Sequence, residues 1–582
     1  MATDQPQVGA SSWRFLARYW PQVVIGSLVL LVNPTLAVVI PYYIGRAIDV
    51  FAGEAVGDTS RLVGLVIVLA IIQTIARSSG FILLQGAARR AEHDLRTRVF
   101  ERLLRTDAAY LRTQRVGDLA SRLSSDLAGV MTMWGMGLLW IIGMGALLVM
   151  ALVLMVRIDP VLTLWSLLPV PIMMVVTQRL AGRVKRQAGE ANRQLGKLSA
   201  TVTEDLTGIG VVKGYHLEEQ RSKQFAELST QLVRRNMVRQ LTEGLFLPIL
   251  GTLTAASRLA VLWLGGMAVI DGDIRLGEFI QFTAYLVLIS MRVVGLAGIV
   301  SMFQQGGASW ARITAVLARS PKIEDGTGEP LARPIRGELE LRNLTVELDG
   351  RRILDGVSLK IPARTITAVV GRVGSGKTTL LEAIPRILDT PADSVLVDGR
   401  DITELPLADL RGAIAYASQN AFLFSASIAD NIAFGLDGTG DRRERVLAAA
   451  RVAGLEPDLA ALPQGIDTPI GERGIGLSGG QRQRVALARA IASDRPIILL
   501  DDSLSAVDTE TERRILDSLA KALDDRTVVL VSHRLAALRR ADQIAVLDGG
   551  RIVELGHHDE LLARGGLYTE IYRAQLESET AA

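Results

Sequence analysis

A glycine-rich segment in the second half of the chain has the composition of a phosphate-binding loop. Residues 371–378 read GRVGSGKT, with the Gly, four residues, Gly, Lys and Ser or Thr of a nucleotide phosphate loop. Lys377 is expected to reach the β- and γ-phosphates, and Thr378 to bind Mg²⁺. The strand-like run Thr367–Val370 before it and the helix-like LLEAI after it supply the required context. The predicted ATP contacts are Gly371, Arg372, Val373, Gly374, Ser375, Gly376, Lys377, Thr378 and Thr379.

Three further segments carry side chains suited to the same chemistry. The apolar run 497–501 (IILLD) ends in Asp501, which is placed to hold Mg²⁺ through its water shell. Residues 477–481 (LSGGQ) open a helix, and a Ser with two Gly at a helix N-terminus makes an anion-binding surface. His533 follows the strand-like Val528–Val531. A single histidine is more often structural, but its place in this series favours contact with a γ-phosphate.

Composition excludes several other classes of protein. The chain of 582 residues has no cysteine, which excludes disulfides, thiol catalysis and Cys-ligated zinc or iron–sulfur sites. Its 64 basic and 61 acidic residues are too evenly balanced to indicate a nucleic-acid partner. The first ten residues are polar and have no basic n-region, so we expect no cleavable signal peptide.

The first 304 residues contain most of the apolar excess, in six stretches long enough to cross a bilayer as helices. Buried helices of a large soluble domain are the alternative, but runs such as Leu62 to Ile75 exceed the usual length of soluble core segments. The six stretches are 21–45, 61–86, 127–156, 159–179, 245–270 and 277–304. The third and fourth are separated only by residues 157–160, which predicts a tight hairpin.

Basic residues predict the orientation of these stretches. The segments 86–126 and 179–240 hold nine and twelve Lys or Arg, whereas the three segments on the opposite side hold three in all. By the positive-inside rule, the two long segments and both termini are cytosolic in a multi-pass protein of the cell membrane. Before the first crossing, aromatic residues from Trp13 to Trp20 alternate with arginines, as in a short interfacial helix.

A composition shift separates this region from the remainder of the chain. Residues 318–336 are rich in Pro, Gly and charge without an apolar period, and we interpret them as a linker between residues 1–317 and 337–582. Beyond the linker, short apolar runs alternate with helix-like segments. This alternation predicts an α/β domain with a largely parallel core sheet.

Taken in order, GRVGSGKT, Gln419, LSGGQ, IILLDD, the SAVD of 505–508 and His533 resemble the nucleotide-binding domain of ABC transporters. With six membrane helices before it, the whole chain resembles a type I ABC exporter half-transporter. The resemblance implies a six-helix membrane domain followed by a RecA-like ATPase domain with a helical subdomain near 420–490. It also implies that Gln419 serves catalysis and Mg²⁺, and that VGDLASRL (116–123) and 211–225 bear the coupling helices.

The same resemblance implies a dimer. In that family two nucleotide domains close head to tail, and each ATP lies between the phosphate loop of one subunit and the LSGGQ of the other. The residues that would complete the partner's site are Ser478, Gly479, Gly480 and Gln481. ATP binding and hydrolysis would then shift the membrane helices between two states by differential affinity.

Three positions depart from the family pattern. Asp502 stands where a Glu normally polarises the attacking water, and such a retracted carboxylate can lower the rate by about 10²-fold. Leu348 stands where an aromatic usually stacks on adenine, and Arg364 where Gly is frequent. The first two resemble the slowly hydrolysing half of heterodimeric ABC exporters. A homodimer with slow turnover is the alternative.

Cargo is indicated only by charged residues inside the apolar stretches. Arg258 and Arg292 lie midway along the fifth and sixth stretches, and a charge there is expensive unless it faces a wet cavity. They predict an amphipathic or anionic cargo, such as a lipid or drug; the alternative is pairing with polar groups of a partner chain. Export is the expected direction, with an importer, an ATP-gated channel or a regulator as alternatives. A soluble ABC ATPase would need no membrane helices.

Overall fold

The computed structural model describes residues 12–581 except 349, 437–440, 472–475, 504–508, 523–524 and 533. Its contacts divide the chain into two compact units, Met1–Arg105 with Gln114–Arg319 and Thr106–Thr113 with Ser320–Ala582. The segment Thr106–Thr113 therefore groups with the second unit, whereas the predicted first domain, 1–317, includes it.

The first unit is helical throughout its described residues, as expected for a membrane domain. A short N-terminal helix precedes long helices with few breaks, and three of the breaks are π-helical turns at Arg122–Asp126, Met133–Gly137 and Val261–Gly265. The helices are α1 (Trp13–Ala17), α2 (Trp20–Phe51), α3 (Thr59–Leu104), α4 (Ala108–Thr113, in the second unit), α5 (Val116–Ile158), α6 (Pro160–Thr207), α7 (Ile209–Gly214), α8 (Glu218–Ile270) and α9 (Leu276–Leu317).

Five of these helices, α2, α3, α5, α6 and α8, are long and apolar enough to cross a membrane. The sixth predicted stretch lies on α9, whose apolar part among the described residues is the shorter Leu276–Ser290. Large apolar side chains such as Ile82, Leu164 and Leu262 are exposed on the helix surfaces. Helices satisfy their own backbone hydrogen bonds, so such surfaces are stable in lipid. A helical membrane domain is confirmed.

Local residues form the predicted hairpin between α5 and α6. The Asp159 carboxylate accepts hydrogen bonds from Val161 N (2.7 Å) and Leu162 N (3.0 Å) as an N-cap. Pro160 occupies the first helical position, where its missing N–H leaves no helix bond unmade. Asp159 is therefore the one residue between the two helices, and it caps the second of them.

Two glycines let α2 and α9 approach closely. A Cβ at Gly277 would collide with the Gly45 carbonyl oxygen, and a Cβ at Gly45 with the Gly277 carbonyl oxygen. Beside this contact the buried Asp49 carboxylate accepts a hydrogen bond from Gly277 N at 2.6 Å. The helices therefore meet backbone to backbone, as small residues allow in membrane proteins.

The second unit contains two sheets. A four-stranded antiparallel sheet has the order β2-β1-β4-β5, and a six-stranded sheet has the order β10-β9-β3-β8-β7-β6. Strands β9, β3, β8, β7 and β6 are parallel neighbours, while β10 pairs antiparallel with β9. The strands are β1 (Leu339–Leu348), β2 (Arg351–Ile361), β3 (Ile366–Val370), β4 (Val395–Val397), β5 (Arg400–Asp401), β6 (Ile414–Ala417), β7 (Ile497–Asp501), β8 (Thr527–Val531), β9 (Gln543–Asp548) and β10 (Arg551–Gly556).

Helices surround the parallel sheet, and β3, β7 and β8 are buried along their length because both faces of the sheet are covered. The helices are α10 (Lys377–Ala383), α11 (Leu407–Gly412), α12 (Ile428–Ile432), α13 (Arg442–Val452), α14 (Glu456–Ala461), α15 (Gly479–Ala492), α16 (Thr509–Ala522), α17 (Leu535–Arg540), α18 (His558–Arg564) and α19 (Leu567–Ala581). The four from α12 to α15 occupy the predicted helical subdomain. The α/β part of the fold prediction is confirmed.

The backbone contact of α2 with α9 leads to a prediction for stability. Gly277→Val should destabilise the protein by about 1–3 kcal/mol, because a side chain there forces the two helices apart. Gly64→Val is the matched control, since a Cβ at Gly64 meets nothing within 4 Å. Thermal unfolding of both variants in nanodiscs measures the difference. Equal stability of the two would contradict the close packing.

Candidate functional site

The phosphate loop connects the centre of the parallel sheet to a helix. Strand β3 lies between β8 and β9, and its chain continues through residues 371–376 into α10, which begins at Lys377. Gly376 has φ +103°, in the left-handed region that favours glycine. A Cβ at Gly371 would collide with the Leu547 carbonyl oxygen. The loop therefore follows a path that these two glycines make possible.

Polar groups of the loop are placed to receive phosphate. Lys377 Nζ donates hydrogen bonds to the carbonyl oxygens of Gly371 and Arg372, both at 2.8 Å. Burial lowers the pKa of Lys377, while the negative charges of Asp501 and Asp502 oppose that shift. Among the described residues, the buried Ser375 Oγ has no hydrogen-bond partner. An orphaned hydroxyl and a partly desolvated ammonium in one loop fit a triphosphate ligand.

The other loop residues differ in exposure. Arg372, Val373 and Gly374 are exposed at the turn of the loop, whereas Thr378 and Thr379 are half-buried in the first turn of α10.

Asp501 and Thr378, two of the three residues predicted to bind Mg²⁺ with Gln419, lie within hydrogen-bonding distance of each other. Asp501 is 1% exposed at the end of β7, and its carboxylate accepts a hydrogen bond from the Thr378 side chain. Burial raises the pKa of Asp501, and the nearby carboxylates of Asp502 and Glu382 raise it further. A divalent cation would offset this charge. The described residues contain no cluster of three or more His, Cys, Asp or Glu, and Mg²⁺ characteristically uses one or two protein ligands with phosphates and water. The residues therefore fit Mg²⁺.

The strand order places the remaining predicted residues of the ATPase core at the same sheet edge. Gln419 is exposed two residues after β6, which neighbours β7, and Asp502 follows β7 directly. The Asp502 N–H donates to the Val531 carbonyl oxygen of β8 at 3.0 Å. Carboxyl ends of parallel strands are where α/β sheets bind ligands. His533, predicted near the same edge, lies outside the described residues.

The structure describes the backbone and contacts of the three residues that depart from the family pattern. Asp502 has φ +45°, a left-handed conformation that Asp adopts more readily than most other residues. Leu348 ends β1 and packs half-buried against the apolar cluster between the sheets. Arg364 has φ +61°, in the left-handed region that glycine adopts more readily than other residues. The Arg364 N–H donates to Thr527 Oγ1 at 2.9 Å.

The LSGGQ segment begins the 14-residue helix α15 with a capping box. Ser478 Oγ accepts from Gln481 N at 3.2 Å, and Gln481 Oε1 accepts from Ser478 N at 2.8 Å. Gln481 Nε2 also donates to Asp458 of α14 at 3.0 Å. The cap holds the first-turn residues Gly479 and Gly480, whose N–H groups have no partner within a helix.

Two polar residues near Asp501 were not found from the sequence. Tyr416 Oη lies 3.5 Å from Asp501 Oδ2, and Glu382 of α10 is a second acidic neighbour of Asp501, after Asp502. Burial raises the pKa of Tyr416, followed by the charge of Asp501. A tyrosine in the otherwise apolar strand IAYA was the available signal.

Comparison with known families agrees with this geometry. Residues 23–293 match the family model described as "ABC transporter transmembrane region", and residues 354–505 match the model described as "ABC transporter". A relative from Escherichia coli (strain K12), "Multidrug resistance-like ATP-binding protein MdlA", is 32% identical over 569 residues, covering 97% of this chain and 96% of the relative. The chain belongs to the ABC transporter family.

A further relative and a solved structure match nearly the whole length of this ABC transporter. The "ATP-dependent lipid A-core flippase" of Burkholderia pseudomallei (strain 1710b) is 32% identical over 582 residues, covering 97% of this chain and 96% of the relative. A solved structure, "Structure of a bacterial Atm1-family ABC exporter with ATP bound", has a TM-score of 0.78 at 27% identity, covering 97% of this chain and 99% of that one. The protein is a multi-pass ABC exporter with fused membrane and ATPase domains, which couples ATP hydrolysis to transport.

The contacts of Lys377 lead to a prediction for ATP binding. Lys377→Ala should weaken ATP binding at this chain's own site by about 10- to 100-fold, because the phosphates lose a charged hydrogen-bond donor. Photolabelling of this subunit by azido-ATP measures the change. Lys360→Ala, which removes an exposed lysine paired with Glu338, is the control. Undiminished labelling of the Lys377→Ala subunit would contradict the assignment.

Proposed function

We propose that this chain is one subunit of a dimeric exporter that moves an amphipathic lipid or drug across the cell membrane. The observation that carries the proposal is the grouping of Lys377, Thr378 and Asp501 at one sheet edge in a chain with long apolar helices. The relatives named for multidrug resistance and lipid A-core flipping support the cargo class. The basic residues of 86–126 and 179–240 support a cytosolic location for both termini and the ATPase domain.

ABC exporters act as dimers, and in a head-to-tail dimer two different elements of each chain would contribute to two ATP sites. The phosphate loop leads into α10, while Ser478, Gly479 and Gly480 begin α15 in the helical subdomain. The first-turn N–H groups of α15 suit the γ-phosphate of an ATP held by a partner subunit. This chain would then supply half of each of two sites.

We further propose that the partner is a different half-transporter and that this chain's own site hydrolyses slowly. Asp502 has a shorter side chain than the usual Glu. Leu348 supplies no aromatic face to adenine, and it packs against the core. A homodimer is the second candidate, since one chain contains a complete phosphate loop, Asp501 and LSGGQ.

A single substitution separates these two candidates. In the heterodimer, Asp502→Asn should remove only a few per cent of ATP turnover, because a misplaced carboxylate already slows this site by about 100-fold. ATPase assays on the chain purified alone and with a partner half-transporter measure this, with Lys377→Ala as the reference for a lost site. Vigorous turnover by the chain alone that Asp502→Asn abolishes would establish the homodimer instead.

The predicted cargo arginines occupy different environments. Arg258 is exposed on α8 three residues before the π-helical turn Val261–Gly265, and Arg292 is half-buried on α9. Arg292 is also close enough to Arg77 of α3 for their charges to repel. The neighbouring Arg292 and Arg77 suit an anionic headgroup, because guanidinium groups bind such groups through paired hydrogen bonds.

Cargo selectivity can be tested in nanodiscs. Arg258→Ala and Arg292→Ala should lower the ATPase stimulation by anionic amphiphiles while leaving basal ATPase unchanged, and Lys at either position should restore only part of it. Arg157→Ala, at the end of α5, is the control. Equal stimulation of all variants by every anionic compound would make these arginines structural. ATP-dependent uptake into inside-out vesicles distinguishes an exporter from an importer, channel or regulator.

A further inference from the structure

A short helix from the first half of the chain belongs to the nucleotide-binding unit. The segment Thr106–Thr113, which contains α4, groups with residues 320–582, although Arg105 before it and Gln114 after it belong to the membrane unit. The Asp107 carboxylate fastens its start by accepting hydrogen bonds from Lys322 N at 3.0 and 3.1 Å and from Ile323 N at 3.2 Å. Thr106–Thr113 is therefore a segment from the first half of the chain that packs as part of the ATPase unit.

The end of this segment forms a two-bond ion pair with the helix that follows the phosphate loop. The Arg112 guanidinium donates to Glu382 Oε2 at 2.9 Å and to Oε1 at 2.6 Å. The Glu382 side chain is only 9% exposed, whereas that of Arg112 is 57% exposed. A buried carboxylate requires a partner, and paired bonds from a guanidinium hold it in one orientation.

Glu382 also adds negative charge to the ATP site. It lies on α10, one and a half turns after Lys377, and it acts electrostatically on both Asp501 and Tyr416. With Asp501 and Asp502 it makes three carboxylates around a site that must accept a triphosphate. Repulsion between these carboxylates and ATP would weaken binding unless cations balance it, and Arg112 balances Glu382 directly.

We propose that Arg112 is a positioning residue for nucleotide binding, which neutralises Glu382 and so strengthens the binding of ATP. This inference rests on the proposed ATP site at Lys377, Thr378 and Asp501. If the ion pair were only structural, its loss would affect folding or would weaken the binding of all ligands equally. If Arg112 neutralises Glu382, the loss of affinity would depend on the charge of the ligand.

The experiment therefore compares the binding of two forms of ATP that differ in charge. ATP carries four negative charges without metal and two as its Mg²⁺ complex. Arg112→Gln should therefore weaken binding of ATP in EDTA about tenfold and in excess Mg²⁺ about threefold, since Coulomb energy scales with ligand charge. Equilibrium binding of radiolabelled ATP to the full-length transporter in nanodiscs, without turnover, measures both constants.

Three further variants complete the test. Arg112→Lys keeps the charge and should stay near wild type, and Arg112→Gln with Glu382→Gln should restore the wild-type ratio of the two constants. Arg115→Gln, which removes an exposed charge just beyond the segment, should change neither constant. An equal loss with and without Mg²⁺, or no rescue by Glu382→Gln, would overturn the role of Arg112. Binding that is undiminished in Lys377→Ala would instead refute the proposed ATP site.

Discussion

Charge compensation in a small buried volume is the constraint on which the ATPase unit depends. Asp501 is almost fully buried, Asp502 and Glu382 lie close to it, and a triphosphate adds further negative charge to the same place. The positive charges available are Lys377 in the loop, Arg112 against Glu382 and the Mg²⁺ that Thr378 and Asp501 fit. Each of these cations offsets repulsion that would otherwise oppose ATP binding.

The same constraint extends to a residue far from the phosphate loop in the sequence. Ligand binding shifts a conformational equilibrium only by its differential affinity for the two states. A site in which several carboxylates must be neutralised together is sensitive to small displacements of any one cation. The segment Thr106–Thr113 groups with the second unit and carries one of these cations, Arg112, whose charge would affect the ATP affinity through Glu382.

The membrane unit is governed by a different physical rule. Lipid cannot hydrogen-bond to the backbone, so each crossing must be a helix, and apolar side chains remain exposed on the helix surfaces. Specific association then depends on close packing and on polar groups between helices. The Gly45–Gly277 contact with the Asp49 hydrogen bond is one such point. In the segment predicted to be cytosolic, the buried Asp126 carboxylate accepts from Ser309 Oγ at 3.1 Å and Arg312 Nε at 2.9 Å.

The amino-acid sequence by itself determined the order of domains, the membrane-crossing stretches and the phosphate loop. These depend on local patterns: apolar length, a strand before GRVGSGKT and a helix after it, and Asp159-Pro160 between two helices. The core strands at 366–370, 497–501 and 527–531 follow from short β-branched runs in the same way. Thr378 and Asp501 were each predicted from a local motif, GRVGSGKT after one strand and IILLD as another.

Only the tertiary structure decided which distant residues meet. A coupling segment at 116–123 stays a prediction; those residues begin α5 in the membrane unit. That the eight residues before Gln114 join the ATPase unit was not predicted from the sequence. Arg112 and Glu382 are 270 positions apart, and neither belongs to a recognisable motif. The packing of Leu348 and the backbone contact of Gly45 with Gly277 likewise depend on surfaces that form after the elements fold. Local periodicity specifies an element and its buried face, whereas the partner of that face depends on the path of the whole chain.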